Sequence, residues 1–543
     1  MKSIGSALNH SKMNYNNFSN RKLSIGSALN HSKMNYNNFS NMRKFSIGST
    51  LNHSKMNYNT FSNKKPDPSE LFFENLSKIS YDGIFNENYF KISSKETKLL
   101  LNMELSKAKI ENIFNKNENE YYIGLMCKSK YDGEEINEPL DLSIALDISG
   151  SMNNPIHMLN NKNGKSRIDL AKNALSKLII NLRKNDKISL NTFNHLSKTI
   201  FPLSNKEEIL NNLESIKKIK ANGGTNLTKA LINAIENIID SKNKNKRIIL
   251  ITDMLDNNPD KNLSDLVKKC VNQLNIYITI VAIGSESNTS LADYICKEKG
   301  CNYFNAVEDS DLEYFLVKNL RYITFPLSFD FRIEIEKNDN FTIEDIIGIK
   351  KEDNQYYINQ NAPPQNNNNN NENNIAPPVI NNINEYNNIS QIIFEENSIF
   401  PSELTINKGE IYDKGGLILI KIKLVNENIK PDINLQMFYT DIDGEKYNQN
   451  YSINLNDIPN NPNYFSNNNI STGISLYYYG FILKDFYKTK KDKIEKSKYI
   501  EKIDICKNFF KEYYKTYDDN NQLKNKYLKD LDDCVNYYDK PIN

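Results

Sequence analysis

Between Leu142 and Tyr322 the chain alternates short apolar runs with longer segments whose apolar residues recur every three or four positions. The runs LSIAL, KISLNTF, SKTIFPL, RIILIT, IYITIVAIG and NYF have the length and β-branched content of strands. Among the intervening segments, Ile168, Ala171, Leu175, Leu178 and Leu182 follow the helical period, as do Leu227, Ala230, Leu231, Ala234, Ile235 and Ile238. Strands that alternate with helices predict an α/β fold, a mostly parallel sheet between helix layers. KISLNTF and SKTIFPL are expected as an antiparallel hairpin at one edge.

Strand patterns flank this region on both sides. Residues from Leu99 to Lys128 alternate apolar and polar, the mark of half-buried strands. After Tyr322 come LSFDFRIEI and LILIKIKLV, then INLQMFYT and YNQNYSINL on either side of Asp443-Gly444, a hairpin signal. The expectation is one β-sandwich into whose chain the α/β region is inserted. From Ile474 to Tyr538 helical spacing returns in a Lys- and Tyr-rich stretch that includes Ile500, Ile503, Phe510 and Tyr514. Acidic residues interleave with the basic ones, which favours a helical cap over a membrane-surface helix.

Two stretches bury little. SIGSALNHSKMNYNNFSN begins at Ser3 and Ser24, and SIGSTLNHSKMNYNTFSN at Ser46. With so few apolar residues per copy, a disordered tandem array is expected rather than a solenoid, and repeated short motifs would serve a partner by avidity. The recurring His10, His31 and His53 suit no compact metal site. The Asn-rich tract, unbroken from Asn366 to Asn371, reads as a disordered loop. The predicted organisation is therefore repeats over 1–66, the first part of the sandwich over 85–138, the α/β domain over 139–325, the second part of the sandwich over 326–457 with the loop at 360–388, and a helical segment over 470–543.

Composition narrows the function classes. The 543 residues carry 69 Lys and Arg against 67 Asp and Glu, a formal net charge of +2, so no global field attracts nucleic acid or anionic membrane. Six scattered cysteines without Cys-x-x-Cys units read as buried free thiols in a reducing compartment. No stretch approaches the roughly 20 apolar residues of a membrane span, and the N-terminus lacks an apolar signal core. A soluble, cytoplasmic protein is expected.

The chemistry concentrates in LSIALDISGS, Leu142 to Ser151. Asp147 ends a predicted strand, and Ser149 and Ser151 follow at alternate positions. Hard oxygens in a tight loop suit a small divalent cation such as Mg²⁺. In a doubly wound sheet ligands sit beyond the carboxyl ends of the strands. Two further candidates belong there: Thr225 in KANGGTNLTKAL, expected to open a helix, and Asp253 after RIILIT. Together the five side chains make a plausible ligand set.

Over roughly Leu140 to Tyr322, the elements DISGS, GGTN and LITD make the chain resemble the von Willebrand factor A family, whose metal-ion-dependent adhesion site is written Asp-x-Ser-x-Ser, then Thr, then Asp. The resemblance implies a Rossmann-like domain that binds Mg²⁺, or Mn²⁺ or Ca²⁺, and engages a partner carboxylate. It implies Asp147, Ser149, Ser151 and Thr225 as ligands, with Asp253 direct or water-bridged. Met254 departs from the Gly that many members carry after the last aspartate, and Asp256 and Asp260 read as solvated loop acids. The wider layout resembles intracellular and bacterial proteins of this family named as calcium-activated chloride channel homologues, although no spanning segment supports a channel. Plant relatives with a zinc RING differ, because the cysteine pattern here excludes one.

The expected function is a metal-dependent binding module that engages an acidic residue of a protein partner. Five donors leave one octahedral position for that carboxylate. Two alternatives stay open: a metal-dependent hydrolase, and a structural protein with a degenerate site. Against an enzyme, no Walker sequence, Gly-x-Ser-x-Gly elbow or His-Glu-x-x-His pair occurs. Of His157 and His195, the only histidines of the α/β region, His157 follows the metal loop in a polar segment and reads as a surface-loop residue.

Overall fold

The structure is a computed structural model that describes residues 80–93, 99–156, 165–211, 213–253, 261–284, 298–306, 310–349, 390–461, 463–492, 496–515 and 521–538, with a few single positions besides. The tandem repeats, the Asn-rich tract, His157 and the 254–260 segment lie outside the described residues. In chain order the strands are β1 (Tyr89–Lys91), β2 (Leu101–Glu111), β3 (Asn119–Ser129), β4 (Asp141–Asp147), β5 (Lys187–Phe193), β6 (Ser197–Asn205), β7 (Lys246–Thr252), β8 (Ile276–Ile283) and β9 (Asn302–Ala306). They continue with β10 (Ser328–Glu336), β11 (Phe341–Ile347), β12 (Ser390–Ile399), β13 (Leu404–Asn407), β14 (Glu410–Lys414), β15 (Leu417–Leu424), β16 (Asp432–Asp441), β17 (Lys446–Asn454) and β18 (Tyr464–Phe465). The principal helices are α1 (Tyr81–Asn86), α2 (Arg167–Asn181), α3 (Leu227–Ile238), α4 (Lys261–Leu274), α5 (Asn468–Asp492), α6 (Lys496–Tyr513) and α7 (Gln522–Asn536).

The central sheet has the order β6-β5-β4-β7-β8-β9. All pairings are parallel except β5 with the edge strand β6. Alternation within each buried strand distributes its side chains between two helix layers. Ile144, Leu146, Ile249 and Ile251 pack in one cluster with Ile168, Ala171, Leu175 and Leu178 of α2, whereas Ala145, Ile248 and Leu250 pack with α3 and α4. The period of two along a strand and 3.6 along a helix together produce this layering. Ser166 caps α2 by accepting from Asp169 N, and Asn226 caps α3 by accepting from Lys229 N, so both helices start at side chains able to satisfy a free N–H.

Two antiparallel sheets adjoin this domain, one of order β12-β10-β16-β17 and one of order β11-β15-β3-β2-β18. The second joins strands from before and after the α/β region, and side chains of both sheets share one cluster, among them Ile123, Leu125, Ile420, Ile333 and Leu435. Contacts with the first sheet lie at the amino ends of the parallel strands. There Arg247 donates to Gly300 O (2.6 Å) and Thr324 O (2.8 Å), and its guanidinium lies over the rings of Tyr277 and Phe400. Ser398 Oγ accepts from Gly300 N at 2.7 Å. The carboxyl ends point the opposite way.

A small third sheet, β1-β14-β13, is not evident from hydrophobic pattern. Its hairpin turns at Lys408 and Gly409, both at positive φ (50° and 80°), a conformation that the Lys-Gly pair permits. Helices α5, α6 and α7 form a second core with α1 and β1. In it Tyr479 donates to Asp530 Oδ2 at 2.8 Å, and burial pushes the Asp530 carboxyl well above its ordinary range. A carboxyl raised in the folded state binds more protons folded than unfolded, so it removes stability as pH rises from about 3.8 through its folded value. Asp530→Asn keeps an acceptor for Tyr479. The variant is expected to match or exceed wild-type stability at pH 7, with a flatter stability profile above pH 4 in urea titrations; a steeper profile would contradict the assignment.

Candidate metal centre

Parallel β5, β4 and β7 bring their carboxyl ends to one edge, and the chain crosses from one side of β4 to the other between β6 and β7. Such a reversal opens a crevice. Beyond β4 the backbone turns into a short 3₁₀ segment, Gly150–Asn153. Ile148 N donates to Phe193 O (2.7 Å), Asn222 N to Ile148 O (2.7 Å) and Gly150 N to Gly223 O (2.9 Å). These bonds fasten the loop of Ser149 and Ser151 to the end of β5 and to the loop that carries Thr225. Gly223 adopts φ +82°, and a Cβ there would fall 2.9 Å from His195 Nδ1, so both conformation and space call for glycine.

Asp147 is fully buried. Its Oδ1 accepts from Ser149 N at 2.7 Å and its Oδ2 from Thr252 Oγ1 at 2.6 Å. The hydroxyls of Ser149 and Ser151 lie 3.1 Å apart. Asp253, immediately after β7, is 1% exposed. Its Oδ2 accepts from Arg167 Nη1 at 2.9 Å, whereas its Oδ1 is buried without a hydrogen-bond partner among the described residues. Thr225 is half-buried and sits one residue before Asn226, which is the cap of α3; the threonine therefore precedes the helix rather than capping it. The structure thus brings all five predicted residues to one edge.

Burial, with a smaller push from the charge of Asp253, raises the Asp147 carboxyl to about 6 against the hydrogen bonds from Thr252 and Ser149. Two carboxylates held out of water beside each other are costly unless cations compensate them. Arg167 supplies one positive charge. The remaining acceptor capacity, Asp253 Oδ1 above all, with hydroxyls adjacent, is the oxygen-rich chemistry that a hard divalent cation takes. No group of three or more His, Cys, Asp or Glu side chains suited to a metal occurs among the described residues; the oxygens gathered at this edge belong to two carboxylates and three hydroxyls.

Two partners of these carboxylates, Thr252 and Arg167, lay outside the expected set. Thr252 is the last residue of RIILIT, and its hydroxyl could have been suspected from its place beside Asp253. Arg167 carries no such signal, since it looks like a first-turn helix residue distant from both carboxylates in sequence.

Residues 141–317 match the family model described as von Willebrand factor type A domain. No curated protein matches the chain. Among solved structures the chain is similar to a von Willebrand factor type A protein from Catenulispora acidiphila, at 11% identity over 78% of this chain and 89% of that one, with a TM-score of 0.41. It is similar to the ArnB paralog VWA2 from Sulfolobus acidocaldarius at 12% identity, 81% and 98% coverage and a TM-score of 0.35. A conserved hypothetical protein, BatB from Bacteroides thetaiotaomicron, is 18% identical over 34% of this chain and 98% of its own, with a TM-score of 0.29.

Proposed function

We propose, from the von Willebrand factor type A domain over residues 141–317 as premise, that this chain is a non-catalytic, metal-dependent protein-binding scaffold of the cytoplasm. Mg²⁺, or Mn²⁺ or Ca²⁺ in its place, would be held by Asp147, Ser149, Ser151, Thr225 and Asp253. The metal would supply a positive pole for a carboxylate presented by a partner protein. The observation that carries this reading is the pair of buried carboxylates at one sheet edge, one of them with an oxygen that no described residue satisfies. Our reading of the two antiparallel sheets is one β-sandwich acting as a pedestal. It meets the parallel sheet at its amino ends, which leaves the opposite edge to a partner. No helix among the described residues is long and apolar enough to cross a membrane.

Affinity capture with the full chain tests this. In Mg²⁺ the wild-type chain should retain partners that EDTA releases and that Asp147→Ala fails to retain. Partners that survive both treatments would refute metal-dependent binding.

A further inference from the structure

An open strand edge invites pairing with another chain, and proteins blunt such edges with proline, bulges or short strands. Here β6 contains Pro202 and two register shifts against β5, and the pairings of β11 and β12 are each interrupted by a shift. The edge strands β1, β9, β13 and β18 have only three, five, four and two residues. β17 ends its sheet with none of these devices. Its nine residues, KYNQNYSIN, pair with β16 in one unbroken register, and only the first, Lys446, is charged. Gln449 Nε2 donates to Leu101 O at 2.9 Å and Tyr451 OH accepts from Met103 N at 3.1 Å, so side chains of β17 occupy backbone groups of β2. Between Tyr447 and Ile453 the backbone of β17 itself bonds only to β16 among the described residues.

We infer that β17 is a self-association edge, at which two copies of the chain pair antiparallel about a two-fold axis and join four strands from each into one sheet. The occupant is a second copy because the strand is complementary to itself. With the axis at Asn450, the middle residue, Asn448 stands opposite Ser452 of the second copy, Gln449 opposite its Tyr451, Tyr447 opposite its Ile453 and Lys446 opposite its Asn454. Asn448, Asn450 and Ser452 are exposed, so amides and a hydroxyl meet on the outer face while Gln449 and Tyr451 meet on the inner one. No charge stands opposite a like charge, the arrangement that destabilises cross-strand pairs. An isologous contact of this kind closes at two copies and gives a dimer rather than a fibre. It lies on the sheet that meets the parallel strands at their amino ends, away from Asp147 and Asp253, and is therefore independent of metal.

Sedimentation velocity of the full chain over a concentration series tests this, in EDTA and in Mg²⁺. Wild type should shift from monomer to dimer with rising concentration, equally in both buffers. N448K/S452K sets like charges opposite each other at two places and should weaken the dimer about tenfold, whereas N448K/S452E sets opposite charges there and should restore it. Both side chains are exposed, so neither variant disturbs the core. In wild type, amide hydrogen exchange over residues 447–453 should slow as the dimer fills, a readout that needs no variant. A wild type that stays monomeric overturns the inference, as does a dimer that N448K/S452K leaves unchanged, one that N448K/S452E weakens as much as N448K/S452K does, or one that forms without protecting these amides. A dimer that EDTA dissolves overturns it as well.

Discussion

Asp147→Ala should abolish the thermal stabilisation that Mg²⁺ gives the wild-type chain. A ligand bound only by the folded state stabilises by about 2.7 kcal/mol at a hundred times its Kd, a shift of several degrees for a domain of this size. The variant loses a buried carboxylate that meets Thr252 and Ser149 at 2.6 and 2.7 Å, one of the five side chains proposed to hold the metal. In EDTA the two proteins should melt within a few degrees of each other. The two lost hydrogen bonds, worth roughly 1 kcal/mol each, are offset by release of a carboxylate that burial and Asp253 disfavour. Scanning calorimetry with and without Mg²⁺ reads both quantities. A variant whose Mg²⁺ response equals that of wild type would remove Asp147 from the ligand set.

Asp186→Ala should cost about 3–5 kcal/mol, the range for breaking a buried ion pair on one side. Asp186 Oδ2 accepts from Arg321 Nη2 at 2.5 Å and from Arg183 N at 3.1 Å, while Oδ1 accepts from Leu140 N at 3.0 Å. Both charged side chains are nearly inaccessible, at 2% and 5%. Alanine would leave the guanidinium buried with Glu138 O at 3.2 Å and strand two backbone donors. The lesion sits where the chain enters β4 and where the helical turn Leu320–Thr324 closes the domain, so the loss should appear in global unfolding rather than as local fraying. Urea denaturation in EDTA measures it apart from any metal effect. A change under about 1 kcal/mol would show that Arg321 finds other compensation.

The α/β region was legible because each of its elements advertises itself locally. Ile168, Ala171, Leu175 and Leu178 of α2 are buried, with Leu170, Ala174 and Ile179 besides, the positions named for α3 are its buried ones, and the hairpin of β5 and β6 forms the sheet edge; beyond this region, Asp443-Gly444 lies in the turn between β16 and β17. The β13–β14 hairpin was not legible, because LTIN and EIYDK are too short and too exposed to carry a period. Nor does any local pattern reveal that β1 pairs with β14 or that β3 pairs with β15. Those choices are made by strands hundreds of residues apart, whose pairing depends on burial in the folded chain.

The candidate site divides in the same way. Sequence by itself offered the chemistry: the oxygen-bearing side chains of Asp147, Ser149, Ser151, Thr225 and Asp253, placed after predicted strands or at the start of a predicted helix, and of the kind that a hard divalent cation takes. Only the tertiary structure decided how those donors are held and charged. Parallel pairing of β4 with β5 and β7 collects the strand ends. Backbone bonds between the 148–150 and 222–223 segments join the loops, and Thr252 orients Asp147. Arg167, which sequence gave no reason to place there, neutralises one carboxylate from a neighbouring helix. The physical reason is that donor identity is a property of single residues, whereas burial and charge balance are properties of neighbours that only folding brings together.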